Sequence, residues 1–145
     1  MENIVVHAYT AGVIDGEGTI TLSRLPNREF RYPCVSVSST TKEILDFLKE
    51  SYGGSISRHK TYQKHHKQSW SWKVLNRSAI NLLMDIQDLL LDPNKSYRAK
   101  LITTHYVALT PRNGRYSPEQ RSKKFAFEQE FFHPSDTVTN DLNHK

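Results

Sequence analysis

The chain is poor in the residues that staple a fold or span a bilayer. Among its 145 residues there is one cysteine, Cys34, which excludes an internal disulfide. No motif pairs it at metal-ligand spacing, so a reducing compartment is expected. No apolar run approaches the roughly 20 residues needed to cross a bilayer. The N-terminus, with Glu2 and His7 around Ile4-Val5-Val6, lacks the charged segment and apolar core of a signal peptide. A soluble, unprocessed intracellular protein of the cytoplasm or an organelle matrix, with no membrane partner, is the expectation. Acid is also missing from one long stretch: no Asp or Glu falls between Glu50 and Asp85, whereas Arg58, Lys60, Lys64, Lys67, Lys73 and Arg77 do, with His59, His65 and His66 among them. A segment of one sign repels itself unless an anion faces it, so it is either a solvated basic hairpin or a nucleic-acid contact. The net charge of +5 and pI near 9.4 fit a polyanionic partner without requiring one.

The length suits a single domain with its own core and a tail. Val5 to Ile14 has helical spacing, and Gly16 and Gly18 are expected to free the backbone for a sharp turn. Thr19 to Arg24 and Tyr32 to Ser38 alternate as strands and should pair as a hairpin across Pro26-Asn27-Arg28. Thr40 and Glu43 suggest a capping box ahead of an amphipathic helix that stops at Gly53-Gly54. Ser55 to Thr61 and Ser69 to Leu75 follow as strands around the basic loop from Tyr62 to Gln68; Trp70, Trp72 and Val74 share the face that should fill the core. A third helix is expected from about Ser78 to Leu90 and a fourth from about Lys95 to Leu109, separated by Asp92-Pro93-Asn94. Ser117, Pro118 and Gln120 predict a last helix over Pro118 to Phe132, after which Asp136 to Lys145 reads as a loose tail. The predicted fold is α+β: a four-stranded antiparallel sheet with helices on one face and the other face wet, residues 1–110 forming the core and 111–145 an extension with one helix. The three histidines lack a fourth ligand at regular spacing, which argues against zinc.

In that setting TAGVIDGEG, Thr10 to Gly18, resembles the nine-residue motif of the LAGLIDADG homing endonucleases. Ala11, Gly12, Ile14, Asp15 and Gly18 match, Val13 and Glu17 are conservative, and Thr10 and Gly16 depart from the name. The α-β-β-α-β-β-α order over residues 5 to 109 strengthens the resemblance. What it implies is a site-specific double-strand DNA endonuclease, and the single motif copy implies a homodimer acting at a long near-palindromic target. Small residues on the motif helix agree with close helix approach: Ala8, Ala11, Gly12 and Asp15 form the expected interface stripe, Asp15 being either a second, weaker metal candidate or, the favoured role, a cap on the partner helix, while Val6, Tyr9, Thr10 and Val13 should face the subunit's own core.

The resemblance further assigns Glu17 as the metal-binding acid with the Gly16 carbonyl in support. Such a set of hard oxygen donors suits Mg²⁺, or another divalent cation such as Mn²⁺ or Ca²⁺. By the same resemblance Lys95 lines up with a basic residue that polarises solvent or stabilises the transition state, and Ser39 stands where relatives often carry a glutamine that orders water. On the wet face Thr19, Thr21, Ser23, Tyr32, Cys34, Ser36, Ser55, Ser57, His59, Ser69, Ser71 and Lys73 are candidate base readers, because a β-ribbon fits the major groove. Short hydroxyls dominate that set, so water-mediated contacts are expected to share the readout. Arg24, Arg28, Arg31, Lys64 and Lys67 are candidate phosphate contacts, and the last helix could wrap the core, reinforce the dimer or touch flanking DNA through Arg121, Lys123 and Lys124. Two other functions are compatible with the same fold: an intron maturase that binds intron RNA, and a non-cleaving DNA-binding regulator.

Overall fold

The computed structural model describes residues 3–61 and 63–135; Tyr62 and the expected loose tail lie outside the described residues. The chain runs α1 (Asn3–Glu17), β1 (Gly18–Ser23), β2 (Tyr32–Ser39), α2 (Lys42–Tyr52), β3 (Ser55–Arg58), β4 (Trp70–Leu75), α3 (Asn76–Ile86), α4 (Pro93–Leu101) and α5 (Pro118–Phe132). The four strands form one antiparallel sheet in the order β1-β2-β4-β3. The predicted element order and sheet are therefore present, and no helix among the described residues is long and apolar enough to cross a membrane.

Strand alternation sorts the sheet into two faces. Ile20, Leu22, Val35, Val37, Trp72 and Val74 are buried on the inner face, against Ile14 of α1, Leu45 and Leu48 of α2, and Leu82, Leu83 and Ile86 of α3. Burying such side chains is worth about 1.5–3 kcal/mol each before entropy is counted. The expected core role of the strand tryptophans holds for Trp72, which is fully buried with its indole N–H on the Gly53 carbonyl at 2.8 Å; Trp70 is half-buried beside it.

Several boundaries differ from the sequence reading, each for a local reason. Helix α1 continues through Gly16 to Glu17 and gives way directly to β1, so Gly16 makes no turn. Gly18 is needed for space: a Cβ there would lie 2.8 Å from Ile14 Cα. The capping box at Thr40 does not form, because β2 runs on to Ser39. Thr41 becomes the N-cap without a side-chain bond, and Ser39 Oγ accepts from the Thr41 N–H at 2.9 Å. Strand β3 ends at Arg58, and α3 begins two residues early, at Asn76, whose φ of 55° is a left-handed conformation that asparagine tolerates. Asp92 and Pro93 start α4 at its N-cap and first position, with Asp92 accepting from the Asn94 N–H. That helix ends at Leu101 in a π-helical turn, Ile102–Tyr106, where the Thr103 hydroxyl donates to Gln87 and to the Lys100 carbonyl.

The predicted last helix is present to the residue, opened by the Ser117–Gln120 capping box. Its Phe127 and Phe131 join the core, and Arg98 of α4 lies over the Phe131 ring while its guanidinium donates to the Ile20 carbonyl on the β1 edge at 2.9 Å. Glu128 accepts from the Arg31 backbone N–H at 3.0 Å, and Phe125 and Tyr116 pack on Phe30. The extension thus braces the connection between β1 and β2.

Candidate functional site

Glu17 ends α1 at the rim of the open sheet face. Its carboxylate is exposed and no hydrogen bond or ion pair engages it among the described residues. Beside it a cleft is lined by Gly12, Val13, Ser38, Ser39, Thr41 and His59, so the helix end, the end of β2 and the end of the β3 ladder converge there. Two hydroxyl contacts organise the cleft and its edge: Ser38 Oγ lies 2.7 Å from Ser71 Oγ, and His59 Nδ1 lies 2.8 Å from Ser69 Oγ.

On the far side of the helix end, Lys95 Nζ donates to the carbonyl oxygens of Ile14 at 2.9 Å and Asp15 at 2.8 Å. Asp92 Oδ2 lies 3.9 Å from the same ammonium. The lysine supplies positive charge where the helix dipole is negative, next to the residue that carries the acid. Asp15 points back into its own subunit: its carboxylate accepts from the backbone N–H of Leu91 at 2.9 Å and of Asp92 at 3.0 Å.

The interface stripe is also redrawn. Ala11 is buried in the subunit's own core at 1% exposure, with Thr10 and Ile14. The open arc of α1 carries Ile4, Val5, Ala8, Tyr9, Gly12 and Gly16. Tyr9, expected inside, is 48% exposed and packs its ring edge-on against Phe47 of α2, 5.1 Å between centroids. A Cβ on Gly12 would meet nothing within 4 Å in this subunit. An apolar and small-residue arc of this kind is what close approach of a second helix requires.

The open sheet face has a regular layout. Thr19, Ser36, Lys73 and Ser55 stand side by side across all four strands, and Ser38, Ser71 and Ser57 form the next row toward Glu17. Thr21 lies in the row beyond, with Cys34 and Leu75, and Ser23 pairs with Tyr32 at the far end. Cys34 has the expected parity but is only 5% exposed: it is short, and Thr21 and Leu75 flank it. Ser38 and Leu75 belong to the face and were not among the sequence candidates, although strict alternation from Ser36 and Lys73 points to both.

Of the candidate phosphate contacts, Arg24, Arg28, Lys64 and Lys67 are exposed and their side chains have no partner among the described residues. The base of the β3–β4 loop is held by Gln68, which accepts from Arg58 Nε at 2.8 Å and donates to the carbonyls of His59 and Ser69. Its tip therefore projects Lys64 and Lys67 from a fixed stem. Arg31 is committed elsewhere: it reaches Glu128 at 3.7 Å, stacks 4.8 Å over Phe132 and approaches the Leu22 carbonyl. On α5, Arg121 pairs with Glu29 at 2.5 Å and Lys123 with Glu119 at 3.3 Å. Lys124 is fully buried, its ammonium donating to Thr110 Oγ1 and lying 3.9 Å over the Tyr106 ring; burial pulls it down to about 8. Of the three cations on the last helix, Arg121 and Lys123 stay exposed in surface ion pairs, and only Lys124 is withdrawn from solvent.

For a divalent cation the donor chemistry fits and is incomplete in one subunit. Glu17 and the Gly16 carbonyl are hard oxygen donors, and no group of three or more His, Cys, Asp or Glu suited to a metal occurs among the described residues. A cation of the Mg²⁺ type accepts few protein ligands when phosphate and water complete its shell.

No protein-family model matches the chain, and no curated protein sequence matches it. Solved structures match over nearly its whole length. The homing endonuclease I-CvuI, crystallised with DNA and Mg²⁺ and described as uncleaved, aligns at TM-score 0.70 and 15% identity over 99% of this chain and 98% of that one. The archaeal intron-encoded homing endonuclease I-Vdi141I, complexed with DNA, aligns at 0.64 and 20% identity over 98% and 95%. The LAGLIDADG homing endonuclease I-GzeII, in complex with its DNA target, aligns at 0.61 and 16% identity; 99% of this chain covers 50% of that one. With its helix-borne TAGVIDGEG segment and its β1-β2-β4-β3 sheet, the chain has the fold of the LAGLIDADG homing endonucleases.

Proposed function

We propose that the chain is one half of a homodimeric, Mg²⁺-dependent endonuclease that cuts double-stranded DNA at a long near-palindromic site. The observation that carries this reading is the position of Glu17: an exposed, unpaired carboxylate at the end of a helix whose neighbouring arc is apolar, small and open. Pairing two such helices brings two acids together, one for each DNA strand. The alignment of this chain with half of I-GzeII agrees with a unit that works in twos.

In this reading Glu17 and the Gly16 carbonyl hold the cation. When bound, it supplies Lewis-acid polarisation of the phosphate and of a water nucleophile. The protein's own part is positional. Lys95 fixes the helix end and places a positive charge behind the Gly16–Glu17 peptide. Ser38, Ser39 and His59 border the cleft with hydrogen-bonding groups that hold water; Ser39 is short and its oxygen already accepts from Thr41, so its role is that of a neighbour rather than a base. The row of Thr19, Ser36, Lys73 and Ser55 and the outer members of the next, Ser38 and Ser57, meet base edges in the major groove, with Thr21, Ser23 and Tyr32 beyond them; Ser71, buried at 8% exposure, positions the Ser38 hydroxyl. Lys64, Lys67, Arg24 and Arg28 bind phosphates.

The test is a duplex library with a randomised centre, incubated with the protein and Mg²⁺ and sequenced at its ends. Recovery of one family of near-palindromic cut sites supports the proposal. Binding without cutting would make the protein a DNA-binding regulator, and activity only on a precursor RNA would make it a maturase.

A further inference from the structure

Lys95 and Arg98 stand about one helical turn apart on the same face of α4 and grip the backbone on either side of Glu17. Lys95 Nζ donates to the Asp15 carbonyl at 2.8 Å, ahead of the acid, and Arg98 Nη1 donates to the Ile20 carbonyl at 2.9 Å, beyond it. The grip is returned from α1, because the Asp15 carboxylate accepts from the backbone N–H groups of Leu91 and Asp92 just before α4. Glu17 is thus carried on a short span, from Asp15 to Ile20, whose two ends are tied to one helix.

The outer tie depends on the C-terminal extension. Strand β1 is an edge of the sheet, and two alternate carbonyls along it are met by arginines rather than by a further strand: Ile20 by Arg98, and Leu22 by Arg31 at 3.5 Å. Both guanidinium groups lie over aromatic rings at the end of α5, Arg98 over Phe131 at 4.7 Å and Arg31 over Phe132 at 4.8 Å. Phe131 is itself buried at 1% exposure, and beside it the Tyr97 hydroxyl of α4 donates to Glu130 at 2.7 Å. Arginine suits this place because its planar group stacks by its face while its N–H groups donate in the plane; lysine keeps the charge and a donor but not the stack. Between the start of β1 and α4 a cleft of about 450 Å³ remains, lined by Gly18, Thr19, Asn94, Lys95 and Arg98. Packing there is incomplete, so the Arg98 bond carries the connection.

We propose that Arg98 is a positioning residue for Glu17, and that the end of α5, through Phe131 and Phe132, holds Arg98 in place, so that the C-terminal extension sets the geometry of the acid. The proposal rests on the reading of Glu17 as the metal-binding acid.

The experiment compares wild type with Arg98→Gln, Arg98→Lys, Phe131→Leu and a control, Leu48→Ala, which opens the core under α2 away from this contact. Three readouts are taken well below every melting transition: backbone hydrogen exchange of the peptide spanning residues 14–22 in metal-free protein, duplex affinity, and the single-turnover cleavage rate at saturating duplex and Mg²⁺. Arg98→Gln is expected to speed exchange in that peptide and to slow cutting roughly 10- to 100-fold, the usual worth of a residue that orients a metal ligand, with duplex affinity unchanged. Arg98→Lys and Phe131→Leu should fall between it and wild type, whereas Leu48→Ala should leave both the peptide and the rate at wild-type levels. Unchanged exchange in Arg98→Gln, or a change matched by the control, overturns the grip. Faster exchange in Arg98→Gln without slower cutting confines Arg98 to the fold and overturns its positioning role. A wild type that cuts no duplex overturns the underlying reading of Glu17 instead, and the exchange comparison then still decides whether the grip exists.

Discussion

Lys95 donates to the Asp15 carbonyl at 2.8 Å and to that of Ile14 at 2.9 Å, so one ammonium closes the end of the helix that presents Glu17. The family resemblance implies a transition-state charge for it; the bonds show that it closes the helix end. Lys95→Ala is expected to lower thermal stability by the worth of a helix-end charge, about 0.3–1 kcal/mol and up to about 2 where partly buried, and to slow cutting as well. Lys95→Arg should restore more of the melting temperature than of the cleavage rate. The two readouts together separate a purely structural lysine, for which rate follows stability, from one that also acts on the reaction.

Gly18 and Gly12 should behave oppositely when filled. At Gly18 a Cβ would stand 2.8 Å from Ile14 Cα, an overpacking that typically costs about 1–3 kcal/mol; Gly18→Ala is expected to lower the melting temperature at every protein concentration. At Gly12 there is open space within the subunit. Gly12→Leu should therefore leave the subunit folded yet sediment as a monomer, whereas wild type is expected to sediment as a dimer at micromolar concentration. A wild-type monomer, with and without duplex, would remove the dimer from the account.

The basic loop should set affinity. Lys64 and Lys67 project from a stem braced by Gln68. Lys64→Ala/Lys67→Ala is expected to flatten the salt dependence of duplex binding by about 0.9 for each phosphate released. An unchanged slope would show that these two lysines do not touch phosphate.

Alkaline pH should reveal the burial of Lys124. In the fold it releases its proton near about 8 rather than at its ordinary 10.5, so between those values the unfolded chain holds more protons and stability rises with pH. Tyr97 works the other way: burial, and then its bond to Glu130, hold its phenol proton to about 12 against an ordinary 10.0, so stability is lost as pH climbs through that range. Thermal melts should improve from pH 8 toward 10 and decline beyond it. In Lys124→Met the rising limb should vanish while the decline remains.

Much of this fold was legible because its signals are periodic and local. Alternation assigned Ile20, Val35, Trp72 and Val74 to the core, and the Ser117–Gln120 box placed α5 without error. The site was legible in part, since Glu17 is marked by the motif around it. What the residues could not reveal were partners distant in sequence. Asp15 finds Leu91 and Asp92, Arg31 finds Glu128, and Lys124 disappears beneath Tyr106. Of the expected stripe Ala8, Ala11, Gly12 and Asp15, Ala11 turns into the subunit's own core, because a small residue at helical spacing fits a core contact as well as a second helix.

The measurement closest to the central claim compares wild type with Glu17→Gln on the duplex recovered from the cleavage library, with binding and cutting followed in the same tube. The amide keeps the shape and removes the charge that holds the cation. The account expects unchanged or tighter binding together with loss of Mg²⁺-dependent double-strand cleavage. Cleavage that persists at the wild-type rate in Glu17→Gln would contradict it.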